Sequence, residues 1–232
     1  MGNTVLITAA TVKEMECLDI PCAGRPQKEA AGRSKGAAGL YPVKRLTGGI
    51  GPVATVYSLM DYLAQNDKPR LIINIGIAGS FRASLPPGTV VVPLSDCFAD
   101  LGVGGGAKFI PVAKSGITGP GDEFTPSGSY TADKDIIKEL ADDYPLVRAI
   151  TVNTASGSNE SAEVLISEFN PDIESMEGAA VYYVCNKKGI PCVAFRAVSN
   201  MVGPRDRSLW NISLALDKLG ASVSHYLKNL SI

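Results

Sequence analysis

Short runs of apolar and β-branched residues alternate along the chain with segments whose apolar positions recur at three- and four-residue intervals. This alternation predicts an α/β protein with a substantial central sheet. The runs at 4–9, 39–41, 43–47, 71–75, 89–93, 149–152 and 192–198 read as strands. The segments at 12–18, 53–66, 133–141, 161–168, 177–187 and 207–230 read as helices. In the last of these, Ile212, Leu216, Leu219, Val223, Tyr226 and Leu230 share one helix face. Two stretches rich in glycine or proline, 97–106 and 116–129, read as surface loops of the kind that border pockets. No linker or tandem repeat interrupts the pattern, so a single domain over residues 1–232 is expected.

Composition narrows the classes. Apolar residues make up 45% and charged residues 19%, ordinary values for a globular chain. A net charge of −1 gives nucleic acid or an anionic membrane no electrostatic hold. Apolar runs such as Val90-Val91-Val92 are too short to span a bilayer, and the N-terminus has neither the basic region nor the apolar length of a signal peptide. Leu6 stands where a myristoylation motif needs Ser or Thr. The five cysteines form no C-x-x-C pair and His225 is the single histidine, which argues against a zinc site and for reduced thiols in the cytoplasm.

Four separated pieces carry candidate chemistry: Glu14 at a helix opening, Thr47-Gly48-Gly49-Ile50-Gly51 between a strand and a helix, Asn74-Ile75-Gly76-Ile77-Ala78-Gly79-Ser80 at a strand end, and Glu174-Ser175-Met176-Glu177-Gly178-Ala179-Ala180. The last is followed one helix later by Phe195-Arg196-Ala197-Val198-Ser199-Asn200. Taken singly, each has a plain structural explanation. The glycines could serve turns, the glutamates could complement helix dipoles, and Asn200 could cap a turn. No G-x-G-x-x-G follows the first strand, so a dinucleotide-binding oxidoreductase is disfavoured.

In their order and spacing, these pieces resemble the nucleoside phosphorylase and nucleosidase superfamily, with Met176-Glu177-Gly178-Ala179-Ala180 similar to its ribose-binding Met-Glu-x-x-Ala motif. The resemblance implies a three-layer α/β/α fold with a central mixed, partly barrel-like sheet. It also implies a cytoplasmic homo-oligomer, a dimer or higher, acting on a small nucleoside with no metal or organic cofactor, and with the loop at 97–106 as the place to look for subunit contact. Glu177 would bridge the ribose hydroxyls with Met176 beside the sugar, Glu14 would orient or deprotonate the attacking water, and Asn200, flanked by Ser199, would meet the leaving base. Ile77 and Gly79 would line the site. A non-catalytic binding module of the same fold should lack one of the two carboxylates, and both are present.

The phosphorylases of this superfamily carry an arginine where Asn74 stands, and Ile77 replaces a usual serine or threonine, so water rather than phosphate is the expected nucleophile. Arg82 is the nearby cation that keeps phosphorolysis open. Adenine-specific members resemble this chain but carry Ser-Asp at Ser199-Asn200, and the asparagine suits a 6-oxopurine such as hypoxanthine. The segment from Arg196 to Arg207, with Trp210, is most similar to the futalosine hydrolases. A methylthioadenosine-type nucleosidase and a purine nucleoside phosphorylase stand as alternatives. For a carboxyphenyl group on the ribose, Phe98 is a candidate aromatic contact and Arg205, Arg207 and Lys108 are candidate cations. The base-stacking phenylalanine of adenine nucleosidases aligns with Gly157-Ser158, so Thr154 and Ser156 are expected contacts there instead.

Overall fold

The computed structural model describes residues 2–18, 41–104, 108–117, 128–204 and 206–230. The chain opens with β1 (Val5–Ala9), α1 (Val12–Glu16), β2 (Val43–Thr47), α2 (Pro52–Gln65), β3 (Leu71–Ser80) and β4 (Val90–Phe98). A small hairpin of β5 (Gly102–Val103) and β6 (Ile110–Pro111) precedes β7 (Ser129–Thr131), α3 (Lys134–Leu140), β8 (Leu146–Thr151) and α4 (Asn159–Phe169). The last elements are β9 (Ile173–Ser175), α5 (Gly178–Lys188), β10 (Cys192–Met201) and α6 (Ile212–Asn229).

The main sheet is mixed and partly closed. Strands run β10-β4-β8-β9-β3-β1-β2, and β10 also pairs with β3, so five strands form a ring from which β1 and β2 extend. Each strand of the ring contributes to one apolar cluster, through Ala78, Val91, Val147, Ile173 and Val198 among others. A smaller cluster of Cys97, Ala99, Ile150 and Val152 packs with α4, and strand alternation divides most of the remaining core between two helical layers. Val5, Ile7, Ile73, Val193 and Phe195 pack with α1, α3 and α6. Leu6, Ile72 and Ala194 pack on the opposite side with α2 and α5. Burial on both faces explains why these strands read as continuous apolar runs. The result is a three-layer α/β/α arrangement, and no helix among the described residues is long and apolar enough to cross a membrane.

Element ends differ from the sequence pattern where partners override it. β3 and β10 continue to Ser80 and Met201, beyond the expected ends at 75 and 198, because each supplies the other with a parallel partner through the glycine-bearing stretch. β4 extends to Phe98 against β8 for the same reason. The expected helix at 207–230 divides into a short 3-10 turn, Arg207–Leu209, and α6, whose first turn is capped by the Asn211 side chain accepting from Leu214 N. Of the expected strand at 39–41, residues 39–40 lie outside the described residues, and Tyr41 is not in a strand. The three-residue β9 was not expected at all, being too short to show a period.

Candidate active site

Glu14 is anchored twice. Thr11 and Glu14 form a capping box at the start of α1, with Glu14 Oε2 accepting from Thr11 N at 3.0 Å and Thr11 Oγ1 at 2.8 Å. Its other oxygen, Oε1, accepts from Ile77 N at 3.2 Å, so one carboxylate joins α1 to the end of β3. Gly76 eases the approach, because a Cβ there would lie 3.1 Å from Glu14 Oε1 and the carboxylate would have to give by a few tenths of an ångström.

Glu177 immediately precedes α5 but makes no side-chain cap. It reaches across the sheet end instead, and Gly51 N donates to its Oε1 at 3.0 Å. Gly51 holds φ +86°, a conformation that favours glycine, just before Pro52 opens α2. Burial raises the Glu177 carboxyl above its usual value, the Gly51 N–H and the nearby Arg196 charge pull it down, and Glu14 pushes it up again.

Beneath these carboxylates lies a buried polar layer. Arg196, 2% exposed, donates through Nη1 to the carbonyls of Asn74 and Phe195, and through Nη2 to Asn74 Oδ1. Asn74 in turn donates to Thr8 Oγ1 at 3.0 Å. The residue standing where a phosphorylase arginine is usual is thus occupied with structural bonds. Asp96 accepts from Thr151 Oγ1 at 3.0 Å, and burial pushes its carboxyl up to about 7 despite the opposing Arg196 charge. Gly178 leaves room for it, since a Cβ there would overlap Asp96 Oδ2.

At the other end of the site, β10 carries a bulge between Val198 and Asn200 that breaks its register with β3 and re-aims the side chains. Ser199 Oγ donates to Asn200 Oδ1 at 2.8 Å, and Asn200 Nδ2 donates to Met201 O at 3.0 Å. A carbonyl can only accept, so this pair of bonds fixes which end of the amide is which.

These groups surround one cavity of about 310 Å³. Glu14, Ile77, Gly79, Met176, Glu177, Ser199 and Asn200 all line it, as do Glu174, Ser156, Ile50 and Trp210. Among the described residues no Lys or Arg lines it, and no three metal-ligating side chains converge anywhere. A second cavity of about 780 Å³ lies beside it, and the two share Val152, Ala155 and Ser156. Thr154 and Phe109 belong to this second space.

Residues 7–228 match the Phosphorylase superfamily. The chain belongs to that superfamily. It is 32% identical over 196 residues to futalosine hydrolase of Streptomyces coelicolor, covering 77% of this chain and 75% of that protein. It is 28% identical over 187 residues to futalosine hydrolase of Thermus thermophilus, covering 77% and 78%. Among solved structures, 5′-methylthioadenosine/S-adenosylhomocysteine nucleosidase of Helicobacter pylori shares the fold with a TM-score of 0.75 at 19% identity, over 98% of this chain and 99% of that one.

Three placements depart from the sequence reading. Phe98 is not at the cavity: its ring meets Tyr130 edge-on at 5.9 Å and packs against the core on the α5 side, because strand alternation turns the last residue of β4 that way. Thr154 faces the second cavity, one step removed from the first. Arg82 is paired with Asp172 at 2.9 Å and bonded to Asn170, away from the cavity lining. Lys108 is exposed, whereas Arg205 and the Arg207 side chain lie outside the described residues.

Two cavity residues, Glu174 and Trp210, lie in segments that the sequence singled out, but neither was given a role there. Glu174 is 6% exposed, and its oxygens accept from Ser156 N at 2.9 Å and Ser156 Oγ at 2.7 Å. The available signal was an acidic residue two positions before Met176, in a run of four consecutive residues that all line the cavity. Trp210, the single tryptophan of the chain, lines the cavity as its aromatic residue among the described ones, and it lies in the irregular stretch before α6, where no periodicity orients a side chain.

Proposed function

We propose that this N-glycosyl hydrolase cleaves futalosine with water, releasing hypoxanthine and leaving dehypoxanthine futalosine, in the cytoplasm and on the route to menaquinone. The observation that carries the reading is the base end of the cavity, where an asparagine of fixed orientation, Asn200, replaces a carboxylic acid. Its amide hydrogen not bonded to Met201 O is free to donate to the acceptor edge of an oxopurine. Relatives named futalosine hydrolase over about three quarters of their length support the same choice.

The remaining groups fit the reaction. Glu177 accepts from the ribose hydroxyls and faces the positive charge that develops on the sugar, while Met176 packs beside it. Glu14 takes a proton from water as the water oxygen bonds to the anomeric carbon. The glycosidic bond breaks with its electron pair going to the purine, where Asn200 meets the developing charge and the proton finally resides. A lining with three carboxylates, Glu14, Glu174 and Glu177, repels a phosphate dianion and favours water. The neighbouring cavity, with Phe109 in its lining, offers space for a large aromatic 5′-substituent. We infer that the working enzyme is a homo-oligomer, by analogy with its superfamily.

The test is to incubate the protein with futalosine, inosine and methylthioadenosine, with and without phosphate, and to follow free base by chromatography. Hypoxanthine should appear from futalosine at a rate that phosphate does not change. Adenine from methylthioadenosine as the main product, or a requirement for phosphate, would overturn the reading.

A further inference from the structure

Gly79 is the register partner of two residues at once. On one side it pairs with Asn200 of β10, on the other with Glu174 of β9. Cross-strand partners project from the same face of a sheet, so both side chains rise on either side of a residue that has none. A Cβ on Gly79 would lie 3.4 Å from Asn200 Nδ2 and 3.5 Å from Glu174 Cγ. Both residues line the same cavity.

Glu174 has no assigned part in holding the sugar or the water. Its two oxygens each accept one hydrogen bond from Ser156, which fixes the carboxylate in place. A carboxylate offers about four lone-pair directions, so acceptor capacity remains on the cavity side. Asn200 presents a donor beside it. A donor next to an acceptor is the complement of a lactam, the C=O and N–H pair that a 6-oxopurine carries at O6 and N1. Adenine has the reverse arrangement, an amino donor at position 6 and a bare acceptor at N1. Asn200 favours an oxopurine through the donor it offers to O6, but adenine keeps an acceptor at N7 that the same donor can meet. A fixed acceptor opposite N1 sharpens the rejection.

We propose that Glu174 is a specificity-determining residue that accepts the N1–H of a 6-oxopurine while Asn200 donates to the adjoining oxygen. This rests on the oxopurine reading above and names the residue that enforces it. Burial raises the carboxyl of Glu174 and the Ser156 bonds oppose that shift, keeping an acceptor in a largely dry site. Facing adenine N1, that acceptor would be left unmatched, the situation in which polar sites discriminate most strongly.

Two independent measurements test it. In the unaltered protein, calorimetry should show hypoxanthine binding roughly 10–100-fold tighter than 1-methylhypoxanthine, which lacks the N1–H. In Glu174→Gln, whose amide can turn either way, the kcat/KM ratio of futalosine over its 6-amino counterpart should fall by about 10-fold or more. A residue that merely held the Ser156 loop would lower both rates and leave the ratio alone. Equal binding of the two bases, or an unchanged ratio in Glu174→Gln, overturns the assignment of Glu174 and leaves the oxopurine reading standing. If the unaltered enzyme prefers the 6-amino nucleoside, the proposed function falls, and this inference with it. Should the variant fail to fold, the methylated base decides by itself.

Discussion

Gly51 and Glu177, 126 residues apart in the chain, are joined by a 3.0 Å hydrogen bond from the Gly51 N–H to the Glu177 carboxylate. The bond orients a side chain at the start of one helix by the backbone at the start of another. It also occupies one acceptor direction of Glu177.

Removing the charge while keeping the shape should therefore be costly to the reaction. Glu177→Gln is expected to lower kcat/KM by roughly 10²–10³, with an unchanged circular dichroism spectrum. Gly51→Ala tests the backbone. A Cβ there meets nothing within 4 Å, so its effect comes from forcing φ +86° on a residue with a side chain, about 1–3 kcal/mol. Lower thermal stability together with lower activity is expected; full activity would show that Gly51 does not position Glu177.

Glu14→Gln separates chemistry from folding. Glutamine can keep the capping box through its amide oxygen but then turns an NH2 toward the Ile77 N–H, so the melting temperature should fall by no more than a few degrees, whereas kcat should fall roughly 10²–10⁴-fold as the proton acceptor is lost. Steady-state kinetics beside a thermal melt make the comparison. Retained kcat would remove Glu14 from the mechanism.

In the proposed mechanism Glu177 is ionised when it meets the ribose hydroxyls, and burial raises its carboxyl above the usual 4.5. Activity should then fall as pH drops through that raised value. The acid limb of kcat/KM against pH is expected to have its midpoint above 4.5. A limb below 4.5 would count against Glu177 as the essential carboxylate.

Asp96 predicts a stability effect of defined sign. Its folded value of about 7 exceeds the ordinary 3.8, so the folded protein holds this proton more tightly than the unfolded chain. The contribution is complete below about 3.8 and is lost as pH rises through about 7. Relative to Asp96→Asn, the unaltered protein should lose melting temperature between pH 5 and pH 8, by a few degrees. A constant difference across that range would place the Asp96 carboxyl near its ordinary value.

Much of the fold was legible because its signals are local. The apolar runs of β1, β3 and β10 and the helical period of α6 follow from burial on two faces or on one stripe. Glu14 and Met176-Glu177 stood out because they belong to short motifs at helix starts. Phe98 misled because its neighbourhood in sequence, a strand running into a glycine-rich loop, says nothing about which face of the sheet its ring takes. Glu174 was given no role because β9 is three residues long and its meaning depends on strands far away.

By itself the sequence determined the class of fold, most of the elements, and the residue types able to hold a sugar, a water and a base. Only the tertiary structure decided which of them share a cavity, that Gly79 is flanked by Glu174 and Asn200, and that Asn74 and Arg82 are engaged in structural bonds. The physical reason is that periodicity and capping act within a few residues, whereas strand register and ring closure are set by pairings between distant segments, and those pairings fix where each side chain points.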